Sequence, residues 1–111
     1  MKTEQPILIT SITAPADLST KKNLFIGFDG NVCGNGEKAL GVLNANLNTG
    51  NQAPVMAIGI AIVISGAAVN QKAKVQSDAN GKAITFAAGE VNGYALDAAA
   101  GADEFIRVRL V

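Results

Sequence analysis

The sequence predicts a small all-β domain of about eight strands, a barrel or sandwich in which one unit of roughly 50 residues occurs twice in tandem. Three observations predict it. Shifting the chain by 51 residues brings Ile7, Ile9, Ala16, Lys21 and Gly30 onto Ile58, Ile60, Ala67, Lys72 and Gly81, with Leu18 on Val69 and Leu24 on Val75. After small insertions Gly36 and Glu37 fall on Gly89 and Glu90, Gly41 and Val42 on Gly93 and Tyr94, and Gly50 on Gly101. Short apolar runs alternate with period two, and Gly or Asn turns punctuate them at regular spacing with no sustained helical period. A unit this short buries little core alone, so the copies, residues 7–57 and 58–111, are expected to pack as one pseudo-twofold domain behind an extended N-terminal arm, residues 1–6.

The first strand, residues 7–13, is rich in β-branched side chains and ends before Pro15. In residues 24–28 the alternation places Leu24, Ile26 and Phe28 inward and Phe25 and Gly27 outward, ahead of the turn Asp29, Gly30, Asn31. Residues 37–47 have a helix-like Ala and Leu content. Their counterpart, residues 90–98, reads EVNGYALDA, which suits a helix poorly, so both copies are read as strands. Residues 54–68 are almost wholly apolar but too short for a membrane-spanning helix. Met56, Ile58, Ile60, Ile62 and Ile64 occupy one face of this strand and are expected to form the spine of the core; Val55, Ala57, Gly59, Ala61 and Val63 face a close neighbour. The strand itself is read as residues 54–65, its first half corresponding to residues 105–111 and its second half to residues 7–13, with Gly59 as the expected bend. Residues 74–78 and 82–86 flank the turn Asn80, Gly81. The last strand turns Ile106, Val108 and Leu110 inward and Arg107 and Arg109 outward.

Nine basic and nine acidic residues cancel, which gives no electrostatic reason to expect nucleic acid or an anionic membrane as partner. Only 16% of residues are charged against 49% apolar, so part of the surface is expected to be covered by sister subunits or a partner. Histidine is absent, which removes the commonest general base and metal ligand. A single cysteine, Cys33, cannot form an intramolecular disulfide, and residues 1–6 lead into no signal-peptide apolar run, so folding in a reducing cytoplasm is expected.

The glycine-rich segment 30–38 lacks phosphate-loop spacing, and Glu37 would oppose a phosphate; a hairpin loop is the reading. Cys33 has no activating base and is taken as a bystander. Asp97, Asp103 and Glu104 do not match a calcium loop and are read as solvated loop charges. No residue is therefore assigned to catalysis, a cofactor or a metal. The candidate binding residues are the arm, Lys2, Thr3, Glu4, Gln5 and Pro6, expected to add to an edge of a partner's sheet, and the stripe Arg107 and Arg109, suited to a partner's carboxylates.

Five segments in order, TAPAD at 13–17, LFIGFDGNV at 24–32, KALGVLNA at 38–45, VQSDANGKA at 75–83 and NGYALDAAAG at 92–101, make the chain resemble the phage capsid-cement, or head-decoration, proteins. The lambda-type decoration proteins are similar more loosely, through the LFIGFDG strand and turn and a following Ala-x-Gly-apolar strand. The resemblance implies a small β-barrel or β-tulip without catalytic residues or cofactors. It also implies a homo-oligomer, with a trimer favoured, made in the host cytoplasm and bound on the outer capsid surface of the virion. There it would bridge major capsid protein subunits. The competing implication is a head-fibre or tail-associated adhesion module.

Overall fold

A computed structural model describes residues 3–111, which form eight strands and no helix. They are β1 (Gln5–Thr13), β2 (Phe25–Gly27), β3 (Ala39–Leu43), β4 (Gln52–Ile64), β5 (Lys74–Ser77), β6 (Ala83–Thr85), β7 (Gly93–Ala95) and β8 (Phe105–Leu110). The sheet runs β2-β3-β4-β8-β7-β5-β6, with β1 on the opposite side of β4, and every ladder is antiparallel. Its ends approach one another: the Phe25 amide in β2 donates 2.8 Å to the Gly81 carbonyl in the turn before β6, so the sheet nearly closes as a barrel.

The pairing repeats between the halves. In the first, Thr13 faces Gln52 and Ile9 faces Met56; in the second, Ile64 faces Phe105 and Ile60 faces Arg109. Leu18 and Leu47 exchange amide bonds of 3.0 and 3.3 Å, and Val69 and Ala99 do the same at 3.0 and 2.8 Å. One register departs from the sequence alignment. Ile26 opposes Gly41 and Val75 opposes Gly93, so Val75 is the structural counterpart of Ile26, not of Leu24. The turns keep the 51-residue offset, with Gly30 bonded to Gly27 and Gly81 to Asp78, so the second copy accommodates two extra residues between strand and turn. The twin glycines Gly41 and Gly93 have a common cause: a Cβ on either would run into backbone of the next strand, at Met56 and at Arg109.

Strand β4 joins the halves. Met56 pairs with both Ile9 and Val42, and Ile60 with both Gln5 and Arg109, so β3 and β8 follow one another along the side opposite β1. Gly59 lies between these stretches with φ +127°, packed so closely on Gln5 that a Cβ would overlap its carbonyl, and β1 is bulged opposite it. Across this bend the residues reaching the larger core change from Met56 to Ala61 and Val63. The expectation that the isoleucine face forms the core spine is therefore wrong: Ile58 is 50% exposed, and Ile60, Ile62 and Ile64 are half-buried. Alternation identifies the residues that share a face of a regular strand, but not the face the core selects. Here the core closes on small side chains, where Ala61 and Val63 meet Ala83, Ala95 and Ala99.

Strand β2 shows the same limit. Phe25 is fully buried in the larger core and Ile26 in a second cluster with Leu18, Leu43 and Val55, whereas Phe28 is 68% exposed. Leu24 and Ile26 are buried as predicted, but Phe25 is buried too because β2 is covered on both faces, and Phe28 is exposed because it lies in the turn beyond the end of β2. Strands β3 and β7 lie within the two segments read as strands despite the helical composition of the first.

Candidate functional site

Exposed apolar side chains gather on β1 and the adjoining part of β4. Ile7 is 80% exposed, and Leu8, Ile9 and Ile58 are exposed beside it. Among the described residues β1 pairs with β4 alone, so its far edge offers unpaired amide and carbonyl groups along a nine-residue strand. Soluble sheets normally protect such an edge.

From this edge one cross-strand row runs over the outer surface. Gln5 opposes Ile60, Ile60 opposes Arg109, Arg109 opposes Tyr94, and Tyr94 opposes Lys74, so the five side chains share a face. A groove of about 410 Å³ lies where the row meets the edge, lined by Gln5, Pro6, Ile7, Ile58 and Arg109 among others. The structure thus brings together three residues singled out in the sequence from opposite ends of the chain: Gln5, Pro6 and Arg109. Gln5 and Pro6 belong to β1, paired with Ile60 and Gly59, so the strand begins two residues before the sequence boundary at Ile7. Thr3 is exposed and Glu4 half-buried just before the strand; Lys2 lies outside the described residues.

Arg107 is placed differently. Its Nε and Nη2 donate to Oδ2 and Oδ1 of Asp97, both at 3.0 Å, and its amide also donates 3.0 Å to Oδ2. The carboxylate holds the guanidinium above its usual pKa. Arg107 is thus already neutralised by a fork-to-fork pair. Asp97 is accordingly no solvated loop charge. Asp103 accepts a 2.6 Å bond from the Lys82 ammonium, and the Glu104 carboxylate accepts the Gly101 amide at 3.0 Å. In the glycine-rich loop the Glu37 carboxylate accepts the Gly34 amide at 2.8 Å, occupying a donor that a phosphate would need. Cys33 is fully buried, and burial, with the charges of Glu37 and Asp29, pushes its thiol up to about 12.

Sequence reasoning missed Tyr94 and the exposed set Leu8, Ile9 and Ile58. Three consecutive apolar residues, Ile7, Leu8 and Ile9, were the available signal, because a strand with one solvated face alternates.

Residues 4–110 match the family model of the phage cement proteins. The chain belongs to that family. Comparison with curated proteins gives no significant match. Among solved structures, the N base of the head fibre gp8.5 of bacteriophage phi29 is similar over 94% of this chain and 95% of its own, with a TM-score of 0.70 at 16% identity; the two share a fold. A phage cement protein is a structural component of the head. The unpaired β1 edge, its isoleucines and the Gln5-to-Lys74 row are the exposed features of this cement protein that its core does not use.

Proposed function

We propose that the protein decorates the outer surface of the assembled phage head as a homo-oligomer, with a trimer favoured, and stabilises it without catalysis by bridging neighbouring major capsid protein subunits. The observation that carries this reading, beside family membership, is the exposed apolar edge. Ile7, Leu8, Ile9 and Ile58 stand beside nine residues of strand with a free side. Such an edge gains main-chain hydrogen bonds and apolar burial when a capsid segment or a sister subunit adds to it. A protein that binds neighbouring subunits only when they are assembled adds its binding free energy to the shell.

The test is cosedimentation with expanded heads of the phage that encodes the protein, with heat and chelator resistance of the heads as second readout. The wild type is expected to bind at micromolar concentration and raise resistance. Ile7→Lys combined with Ile58→Lys, both exposed positions, is expected to weaken binding at least tenfold, about 1.4 kcal/mol per site. Absence of wild-type binding overturns the reading. A second reading, the base of a head fibre, is favoured by the shared fold with the phi29 fibre base. Fibres projecting from decorated heads in electron micrographs would select it.

A further inference from the structure

We propose that the outer face of the second half, centred on Tyr94 and Arg109, binds an extended, carboxylate-bearing segment of the capsid protein; this rests on the reading that the protein docks on the head. The halves supply the first argument. In the first half Phe25 opposes Val42 and Val42 opposes Met56, and all three are buried in the larger core alongside side chains of the second half. The same ladder positions in the second half are Lys74, Tyr94 and Arg109. They lie on the surface, with Tyr94 37% exposed and both cations exposed. A face whose counterpart is covered by protein is here open, and its apolar residues are replaced by two cations around a phenol.

Charge gives the second argument. The chain is neutral overall, yet Lys72, Lys74, Arg107 and Arg109 cluster here. Among the described residues Lys72, Lys74 and Arg109 make no ion pair, whereas Arg107 is held by Asp97 and Lys82 by Asp103. A second groove, of about 470 Å³, contains Lys72, Tyr94, Arg107 and Arg109, and neither this groove nor the one beside Gln5 is lined by an acidic side chain. Arg109 borders both. The row from Lys74 to Gln5 crosses five strands, about 19 Å at roughly 4.8 Å per step, the span of about six extended residues. Carboxylates on such a segment would meet Lys72, Lys74 and Arg109, with its stem on the Tyr94 ring, while apolar residues at its far end would reach Ile60.

The experiment compares the full-length wild type with Lys74→Glu combined with Arg109→Glu, using two probes: expanded heads of its phage at low and at physiological salt, and a fluorescein-labelled hexaglutamate peptide. Wild-type binding to both probes is expected to fall as salt is raised. The double variant is expected to lose at least tenfold on both, with melting temperature and oligomeric state unchanged. Equal binding of heads by the two proteins, no binding of hexaglutamate by the wild type, or tighter binding of an oligothymidylate of equal charge would overturn the proposal. If wild-type protein binds hexaglutamate but not heads, the docking reading fails while the acidic-segment surface stands.

Discussion

Replacing Asn92 by alanine is expected to cost substantial stability at the seam between the halves. Asn92 is 2% exposed and sits just before β7. Its Oδ1 accepts the Ala39 amide at 2.9 Å, and its Nδ2 donates 3.1 Å to the Glu37 carbonyl, so one side chain from the second half holds the entry to β3 in the first. Alanine strands the buried Ala39 amide, at about 1–3 kcal/mol. The carbonyl of the exposed Glu37 can turn to water, so that loss is nearer 1 kcal/mol. The sum, about 2–4 kcal/mol, corresponds to a fall of roughly 8–16 °C in Tm for a domain of this size. Urea unfolding followed by far-ultraviolet circular dichroism measures it, with an unchanged slope showing that only stability has moved. Thr85→Ala is the comparator. It removes one exposed bond of 3.3 Å and is expected to cost under about 0.5 kcal/mol. An Asn92→Ala loss as small as that of Thr85→Ala would refute the reasoning.

The remaining predictions concern backbone approach and acid stability. Gly41→Ala places a methyl group against the Met56 carbonyl of the adjoining strand and is expected to cost more than about 3 kcal/mol or abolish soluble expression, whereas Gly50→Ala, with φ +87° and open space around it, is expected to cost only about 1–2 kcal/mol; similar stabilities of the two variants in urea would contradict the packing argument. Asp29 accepts the backbone and side-chain N–H groups of Asn31, and Asp17 bonds Ser19, which lowers both carboxyl pKa values below the usual 3.8. A depressed carboxylate contributes stability above its unfolded pKa and loses it as pH falls through the folded value, so the urea midpoint should decline below about pH 4, and less steeply in Asp29→Asn; an identical acid limb in wild type and variant would count against it.

The parts of this fold legible in the sequence are those set by local chemistry. The turns Asp29-Gly30-Asn31 and Asn80-Gly81 announce themselves through glycine at positive φ, and Gly59 as a bend follows from an isolated glycine inside an apolar strand. The repeat made β3 readable as a strand against its own composition. Tertiary choice was not legible. Nothing in the alternation of β4 says that the core takes Ala61 and Val63 and leaves Ile58 outside, nor that β2 is buried on both faces, because these follow from where the second half lies relative to the first. The candidate site divided in the same way. Gln5, Pro6 and Arg109, candidates from charge and position, line one groove, but charge alone does not separate Arg107 from Arg109; Asp97, ten residues away in sequence, does so by holding Arg107. Tyr94 resembled any other strand aromatic.

Duplication and function bear on each other through that asymmetry. Two identical copies packed as one domain start with equivalent outer ladders. In this chain one ladder, Phe25, Val42 and Met56, became the apolar seat on which the halves join, and its counterpart became Lys74, Tyr94 and Arg109. Burial of the first set supplies cohesion, at roughly 1.5–3 kcal/mol for each large side chain. Making the second set apolar as well would leave a second sticky face continuous with Ile60 and the exposed β1 edge, the geometry that leads to open-ended head-to-tail association. Lysine and arginine there remove the apolar surface that such association needs and make two copies of the face repel each other, yet leave it suited to carboxylates. On the proposed reading that the protein docks on a shell, the buried ladder holds the domain together and the cationic one is left free to meet the partner.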